Sequence, residues 1–133
     1  MAKRKRLSSE LVFVYGTLMS GHGNHFHLTG ARFLGNGQVN GLGLYDVTTY
    51  FPGAIRENGS SILGEIYQVD SVTMNSLDRL ESNGSLYLRE KLPVLLNGEV
   101  NVEAWVYLWL KKKKGYKVPL EQQPWRKVKY KCN

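Results

Sequence analysis

The sequence contains almost no cysteine: among 133 residues, Cys132 carries the only thiol. A disulfide needs two thiols and a thiolate metal site needs several, so neither can organise this fold. Long hydrophobic runs are also missing, because no stretch reaches 18 apolar residues, which excludes a membrane-spanning helix. The first residues lead into Ser8 and Ser9 and not into the apolar stretch of a signal peptide. We therefore expect a soluble, cytoplasmic protein without a membrane partner.

The central part of the chain is poor in basic residues, although the whole chain carries a net charge of +7. Thirteen of the 18 lysines and arginines lie in three short segments, at residues 3–6, 111–117 and 126–131. Between residues 7 and 110, ten acidic residues outnumber five basic ones. Because a phosphate-binding surface should belong to the folded body, this distribution favours solvated basic ends. We expect no specific nucleic-acid partner.

A chain of this length is suited to one compact domain around a single hydrophobic core. We predict a basic N-terminal arm over residues 1–10 and a folded domain over residues 11–110. Residues 111–133 should form a lysine-rich loop and a tail that packs on the same domain through Trp125.

Short β-strands dominate the sequence pattern. Six segments are rich in β-branched and aromatic residues and are separated by glycine, proline or asparagine: residues 11–15, 31–34, 38–47, 61–69, 86–96 and 100–110. Asn97-Gly98 predicts a hairpin turn with positive φ at both residues. The last strand alternates an aliphatic face with a largely aromatic face, so both faces should be covered. The pattern predicts a barrel, or a sheet with a helix against it.

One segment, residues 70–82, has helical periodicity instead. It begins with capping residues, and Met74, Leu77 and Leu80 recur at helical spacing. Glu81 follows Leu77 by four positions and therefore points toward the same apolar stripe. A carboxylate directed at the core must be paired, neutralised or placed in a cavity, so Glu81 is a candidate acid–base group. The spacing is also compatible with a glutamate that bends out to solvent at the last turn.

The first predicted strand runs directly into the turn YGTL at residues 15–18. A glycine after a hydrophobic strand lets several backbone N–H groups point into one concavity, and such a nest binds a carboxylate or an oxyanion. An ordinary strand-end turn is the alternative interpretation.

Three histidines follow in the segment HGNHFH: His22, His25 and His27. Their closeness suggests a metal site, but all three lie in one glycine-rich segment with no carboxylate nearby. We therefore favour histidines that pack on the loop, and we predict no metal ligands.

Five motifs occur in order between about residues 12 and 109: VFVYGTL, FPGAI, LGEIYQVD, LDRLES and LYLRE. Their order and spacing resemble the gamma-glutamylcyclotransferase-like superfamily, most closely its gamma-glutamylamine cyclotransferase and avirulence-induced-gene-like branch. The resemblance implies an α+β fold, a small mixed β-barrel with one or two packed helices. It also implies that Glu81 is the catalytic base and that five residues line the substrate cavity: Tyr15, Gly16, Thr17, Leu18 and Tyr87.

The resemblance further implies a reaction. In this superfamily the α-amine of a γ-glutamyl group attacks its own γ-carbonyl, which forms 5-oxoproline and releases the amine that had been acylated. The reaction requires no cofactor, so the expected partner is a small γ-glutamyl compound, bound by a monomer or a weak homodimer. The alternative is a non-catalytic module of the same fold that binds a small carboxylated metabolite or a protein.

Overall fold

A computed structural model describes residues 9–127 of the chain. Within them, the chain forms six strands and one α-helix, in the order β1 (Ser9–Val14), β2 (Arg32–Asp46), β3 (Gly53–Asp70), α1 (Ser71–Leu80), β4 (Tyr87–Leu96), β5 (Val100–Trp109) and β6 (Tyr116–Lys117). Two 3-10 helices, His25–Leu28 and Leu120–Gln122, lie in the connections.

The strands close into a ring. Strand β3 pairs antiparallel with both β1 and β2, and β4 pairs antiparallel with β5 and with the middle of β2. A short parallel pairing of β1 with β5 completes the circle, while β6 extends the end of β2. This mixed ring with one helix confirms the predicted α+β barrel.

Two strands are longer than the sequence pattern predicts. The segments 31–34 and 38–47 form the single strand β2, and β3 begins at residue 53 and not at 61. Strand β2 stays paired to β3 across two register shifts, one of which falls at Gly41, where φ is +85°. A bulge of this kind inserts a residue without ending the strand. The shift between Phe33 and Gly35 lies beside the predicted break at residues 35–37, whereas the shift at Gly41 falls inside the predicted segment 38–47.

The predicted hairpin joins β4 to β5. Asn97 and Gly98 have φ values of +51° and +72°, as the dipeptide requires. The Asn97 side-chain oxygen also accepts a hydrogen bond from the backbone N–H of Asn36 at 3.1 Å, and the Asn97 N–H donates to the Asn36 carbonyl at 2.8 Å. The turn thereby fastens the β4–β5 hairpin to β2.

Helix α1 is slightly shorter than the predicted 70–82. Asp70 caps its N-terminus by accepting a hydrogen bond from the Thr73 N–H at 2.8 Å. Met74 and Leu77 are buried against the ring, and Glu81 is the first residue after the helix. The apolar stripe therefore fixes the rotation of the helix that presents Glu81.

The segment after β6 returns to the barrel. Trp125 is 2% exposed, and its indole N–H donates to the Asp46 carboxylate at 2.6 Å. Cys132, the start of the predicted N-terminal arm and the last residues of the predicted tail lie outside the described residues. No helix in residues 9–127 is long and apolar enough to cross a membrane.

Leu77 tests how strongly the helix depends on the ring. Its side chain is fully buried, so Leu77→Ala should lower the free energy of unfolding by about 2–5 kcal/mol through lost burial and a residual cavity. Val72 in the same helix is 69% exposed, so Val72→Ala should change stability by less than about 0.5 kcal/mol. Chemical denaturation of both variants measures the difference. Equal effects would show that the helix does not pack as described.

Candidate active site

A cavity of about 200 Å³ lies where β1 runs into the YGTL turn. The six residues predicted for the site all line it: Tyr15, Gly16, Thr17, Leu18, Glu81 and Tyr87. They come from three parts of the chain, namely the turn after β1, the end of α1 and the start of β4. The fold thus brings into one cavity groups that lie up to 72 positions apart in sequence.

Sequence reasoning missed several residues of the wall. Asn24, Phe51, Pro52 and Tyr107 also line the cavity. Tyr107 belongs to the aromatic face of β5, and the other face of that strand packs into the core. The alternation of the two faces could therefore have identified Tyr107 as a residue of the cavity wall. Asn24 lies in an irregular loop, where the periodicity of the sequence gives no information about position.

The carboxylate of Glu81 faces the cavity. Its backbone N–H donates to the Leu77 carbonyl at 2.9 Å, which continues the helical pattern by one residue. Within residues 9–127 the side chain has neither a hydrogen-bonding nor an ion-pairing partner. Burial raises the pKa of Glu81 from 4.5 to about 7. Near neutral pH this group can therefore both accept and donate a proton.

Three tyrosines surround the Glu81 carboxylate. Burial, followed by the negative charges nearby, raises the pKa values of Tyr15, Tyr87 and Tyr107 above their usual range, and Glu81 contributes to the rise at each. The phenols consequently stay protonated at neutral pH. They can serve as hydrogen-bonding groups, while Glu81 is the group of the cavity that titrates near pH 7.

The hydroxyl of Tyr15 occupies a gap in the sheet. It donates to the Tyr107 carbonyl at 2.6 Å and accepts from the Ala54 N–H at 3.1 Å. In this region β3 and β5 are paired only at Ala54 and Leu108. The hydroxyl thus stands between the two strands in place of a direct backbone hydrogen bond.

Pro52 connects the other walls of the cavity. Its carbonyl accepts a hydrogen bond of 2.7 Å from the hydroxyl of Tyr87. Its ring packs so closely on Gly16 that a Cβ atom there would lie 2.9 Å from two ring carbons. Only glycine at position 16 allows this approach without a shift, which gives the glycine of the YGTL turn a steric role.

The YGTL turn leaves its N–H groups available. Within the described residues, the backbone N–H groups of Gly16, Thr17 and Leu18 have no hydrogen-bond acceptor. The turn itself is held from the other side, because the Thr17 carbonyl accepts from the Asn24 N–H at 3.0 Å and the Thr17 hydroxyl accepts from the Asn24 amide at 2.9 Å. Such a set of free donors beside a cavity can bind an anionic oxygen.

The three histidines pack against three different aromatic rings. His22 packs 5.3 Å from the Trp125 ring, His25 packs 5.8 Å from the Tyr67 ring, and His27 lies 4.1 Å from the Phe26 ring. Nδ1 of His25 is also 2.9 Å from the carbonyl oxygen of Leu18. Within residues 9–127, histidine, cysteine and acidic side chains form no group of three that could hold a metal ion.

An ion pair beneath the site fixes the end of α1. The Arg89 guanidinium donates to both oxygens of Asp78, at 2.8 and 3.2 Å, and Asp78 also accepts from the Tyr107 hydroxyl at 2.6 Å. The Arg89 N–H donates to the Asn83 side chain at 3.0 Å. These bonds hold the turn that carries Glu81 against β4 and β5.

Fold and site together define a small barrel with a carboxylate-containing cavity, and comparison with known proteins identifies its family. The chain matches the family described as gamma-glutamyl cyclotransferase, AIG2-like, over residues 12–127. The protein belongs to this family, as the motifs suggested.

Relatives support the assignment over most of their length. The gamma-glutamylcyclotransferase family protein YtfP of Escherichia coli is 32% identical over 114 residues, which cover 86% of this chain and 94% of that protein. The crystal structure of an AIG2-like protein from Mus musculus matches with a TM-score of 0.68 and 31% identity, over 75% of this chain and 76% of that one. The crystal structure of an uncharacterised protein from Pyrococcus horikoshii matches with a TM-score of 0.65 and 30% identity. This match covers 82% of this chain and 85% of that one.

Tyr15→Phe tests the bridging hydroxyl. The variant leaves the Ala54 N–H and the Tyr107 carbonyl without their partner in a buried place, so the free energy of unfolding should fall by about 1–3 kcal/mol. Tyr50 is 67% exposed and provides the control, since Tyr50→Phe should be close to neutral. Chemical denaturation measures both variants. A neutral Tyr15→Phe would show that the hydroxyl does not link the strands.

Glu81→Gln tests the raised pKa through stability. The folded protein holds a proton on Glu81 up to a pH of about 7, whereas the unfolded chain releases it near 4.5, so stability is lost as the pH rises through this window. The glutamine variant avoids this loss and should be more stable than wild type by about 1–3 kcal/mol at pH 8, with the difference shrinking toward pH 5.

Thermal midpoints between pH 5 and pH 8 provide the measurement. Glu99 is exposed in the hairpin, and Glu99→Gln should show no such pH-dependent gain. A Glu81→Gln variant that is equally or less stable than wild type at pH 8 would contradict a desolvated carboxylate.

Proposed function

We propose that the protein is a γ-glutamyl cyclotransferase that converts the γ-glutamyl group of an amine or a peptide into 5-oxoproline and releases the amine. The observation that supports this most strongly is a carboxylate with a pKa of about 7 in a cavity that also contains a turn of free backbone N–H groups. Family membership supplies the reaction class.

The size of the cavity suits one small acyl group. Sites for drug-sized ligands usually enclose about 300–1,000 Å³, and this cavity encloses about 200 Å³. The cavity can enclose the bent γ-glutamyl chain, while the amine portion extends toward solvent. Holding the chain bent brings the α-nitrogen to the γ-carbonyl, and such an intramolecular reaction gains most of its rate from the fixed geometry.

Glu81 carries the proton. It accepts a proton from the α-ammonium. The lone pair of the resulting amine nitrogen then attacks the γ-carbonyl carbon to close the five-membered ring. As the tetrahedral intermediate collapses, the bond from this carbon to the departing nitrogen breaks and Glu81 returns the proton to that nitrogen. The ring nitrogen gives up its second proton to the released amine, which leaves as an ammonium ion, so that neutral lactam and ionised Glu81 remain. An ordinary glutamate, with a pKa of about 4.3, is a poor base for an amine of pKa about 8. The value of about 7 at Glu81 brings the two groups within about one unit.

The YGTL turn binds negative charge in this proposal. The free N–H groups of Gly16, Thr17 and Leu18 point to an anionic oxygen of the substrate, either its α-carboxylate or the oxyanion of the intermediate. The apolar walls exclude water, which strengthens these hydrogen bonds. No cofactor takes part in any step.

Glu81→Gln should therefore abolish most of the activity. The amide retains the size of the side chain but cannot accept the proton, so turnover should fall by roughly 10²-fold or more. In wild type, kcat/KM should rise with pH through about 7 as Glu81 loses its proton. Release of 5-oxoproline from a panel of γ-glutamyl amines and peptides measures both effects.

Binding of 5-oxoproline, followed by calorimetry, separates catalysis from folding. The folded Glu81→Gln variant should still bind this product, and Glu103→Gln on the exposed part of β5 should retain full turnover. Unchanged turnover in Glu81→Gln would remove Glu81 from the mechanism. If wild type binds the product but converts no γ-glutamyl compound, the result would favour the non-catalytic binding module.

A further inference from the structure

Two basic segments lie near the loop at residues 48–52. This loop contributes Phe51 and Pro52 to the wall of the cavity. The first segment is 111–114, a run of four lysines, and the second is the pair Arg126 and Lys127. Both are exposed to solvent.

Trp109 links the lysine run to the cavity wall. Its ring lies 6.2 Å from the Phe51 ring and 5.2 Å from the Tyr87 ring, both of which line the cavity. Its indole N–H donates to the Lys112 carbonyl at 3.3 Å. The Trp109 side chain thus contacts both the lysine run and two residues of the cavity wall.

The second segment contacts the loop at Tyr50. The ammonium nitrogen of Lys127 lies 5.5 Å from the centre of the Tyr50 ring. Trp125, two positions earlier, is buried and packs on His22 in the segment that follows the YGTL turn. The buried tryptophan therefore anchors Arg126 and Lys127 beside the site.

Most of these cations have no carboxylate to neutralise them. Lys117 is paired with Glu57 at 3.3 Å, and Lys113 lies over the ring of Tyr45, whose hydroxyl donates to the same carboxylate. Five cations of the two segments form no ion pair within the described residues: Lys111, Lys112, Lys114, Arg126 and Lys127. Their field therefore acts on whatever approaches the loop.

We infer that the enzyme prefers γ-glutamyl compounds whose amine portion carries additional negative charge, such as carboxylates of an acidic amino acid or peptide. This inference rests on the proposed function, and it adds the chemical class of the leaving amine. The γ-glutamyl group fills the cavity, and the leaving amine extends past the 48–52 loop into the field of the two basic segments.

The chemistry of the rim favours a small anion over a polyanion. The rings of Phe51, Tyr87 and Trp109 pack on one another at the cavity wall and are not free to stack on bases, which leaves Tyr50 as the exposed ring of the loop. The charges also fall in two separate segments, whereas a nucleic-acid site would need a continuous groove. Exposed charges act over about 10 Å at moderate ionic strength, which is enough to reach a group at the opening.

The test compares two substrates of nearly identical shape, γ-glutamyl-glutamate and γ-glutamyl-glutamine. They differ only in one carboxylate on the leaving amino acid, so the ratio of their kcat/KM values reports the preference for charge. Wild type should favour the glutamate compound by about 3- to 10-fold at low salt, and the ratio should approach one at high salt. Replacement of three unpaired lysines, Lys111→Gln, Lys112→Gln and Lys114→Gln together, should lower the ratio while leaving kcat/KM for the glutamine compound nearly constant.

Lys91→Gln provides the control, because Lys91 on β4 is already paired with Glu10 at 3.7 Å. It should keep the wild-type ratio. A wild-type ratio near one, or a ratio that the triple variant does not lower, would overturn the inference while leaving the cyclotransferase proposal intact. If neither compound nor any other γ-glutamyl compound is turned over, the proposed function itself fails. Binding of single-stranded RNA that the triple variant loses, with an unchanged substrate ratio, would assign the lysines to a polyanion instead.

Discussion

The hydroxyl of Tyr15 is the contact on which both the barrel and the cavity depend. Strands β1, β3 and β5 meet at the end of the barrel, but β1 pairs with β5 over only two residues and β3 pairs with β5 at only one. A full ladder here would close the barrel completely. The tyrosine fills the gap with its side chain and satisfies one backbone group on each neighbouring strand. The sheet therefore stays connected and still leaves room for a ligand beside it.

The cavity places opposing demands on Glu81. A carboxylate at a cavity wall without a partner lowers stability, because its charged form has lost part of its solvation by water. The same loss makes it a base matched to neutral pH. The Asp78–Arg89 ion pair, which is only partly exposed, fixes the turn from outside the cavity and leaves the Glu81 carboxylate itself without a cation. The charges that stabilise the turn are thus kept apart from the charge that would do the chemistry.

Much of this arrangement could be predicted from the sequence, and the reasons differ between elements. Helix α1 follows from Met74 and Leu77, whose spacing also sets the direction of Glu81. The hairpin follows from Asn97-Gly98, because few other dipeptides adopt positive φ twice. The extent of β2 and β3 could not be predicted, since bulges at glycines and a polar first half of β3 hide the pairing from any pattern of period two. Asn24 reaches the cavity from an irregular loop, where the periodicity of the sequence gives no information about position.

The position of Glu81 relative to α1 adds a final constraint. Burial is the main reason for its raised pKa, but the residue also follows directly after the C-terminus of the helix. The aligned peptide dipoles give this end of a helix a partial negative charge, which disfavours a second negative charge beside it. At the N-terminus of the same helix, Asp70 accepts a backbone hydrogen bond and has a lowered pKa. One helix thus carries two carboxylates with opposite shifts, and the acid at its C-terminal end is the one suited to take a proton from an amine.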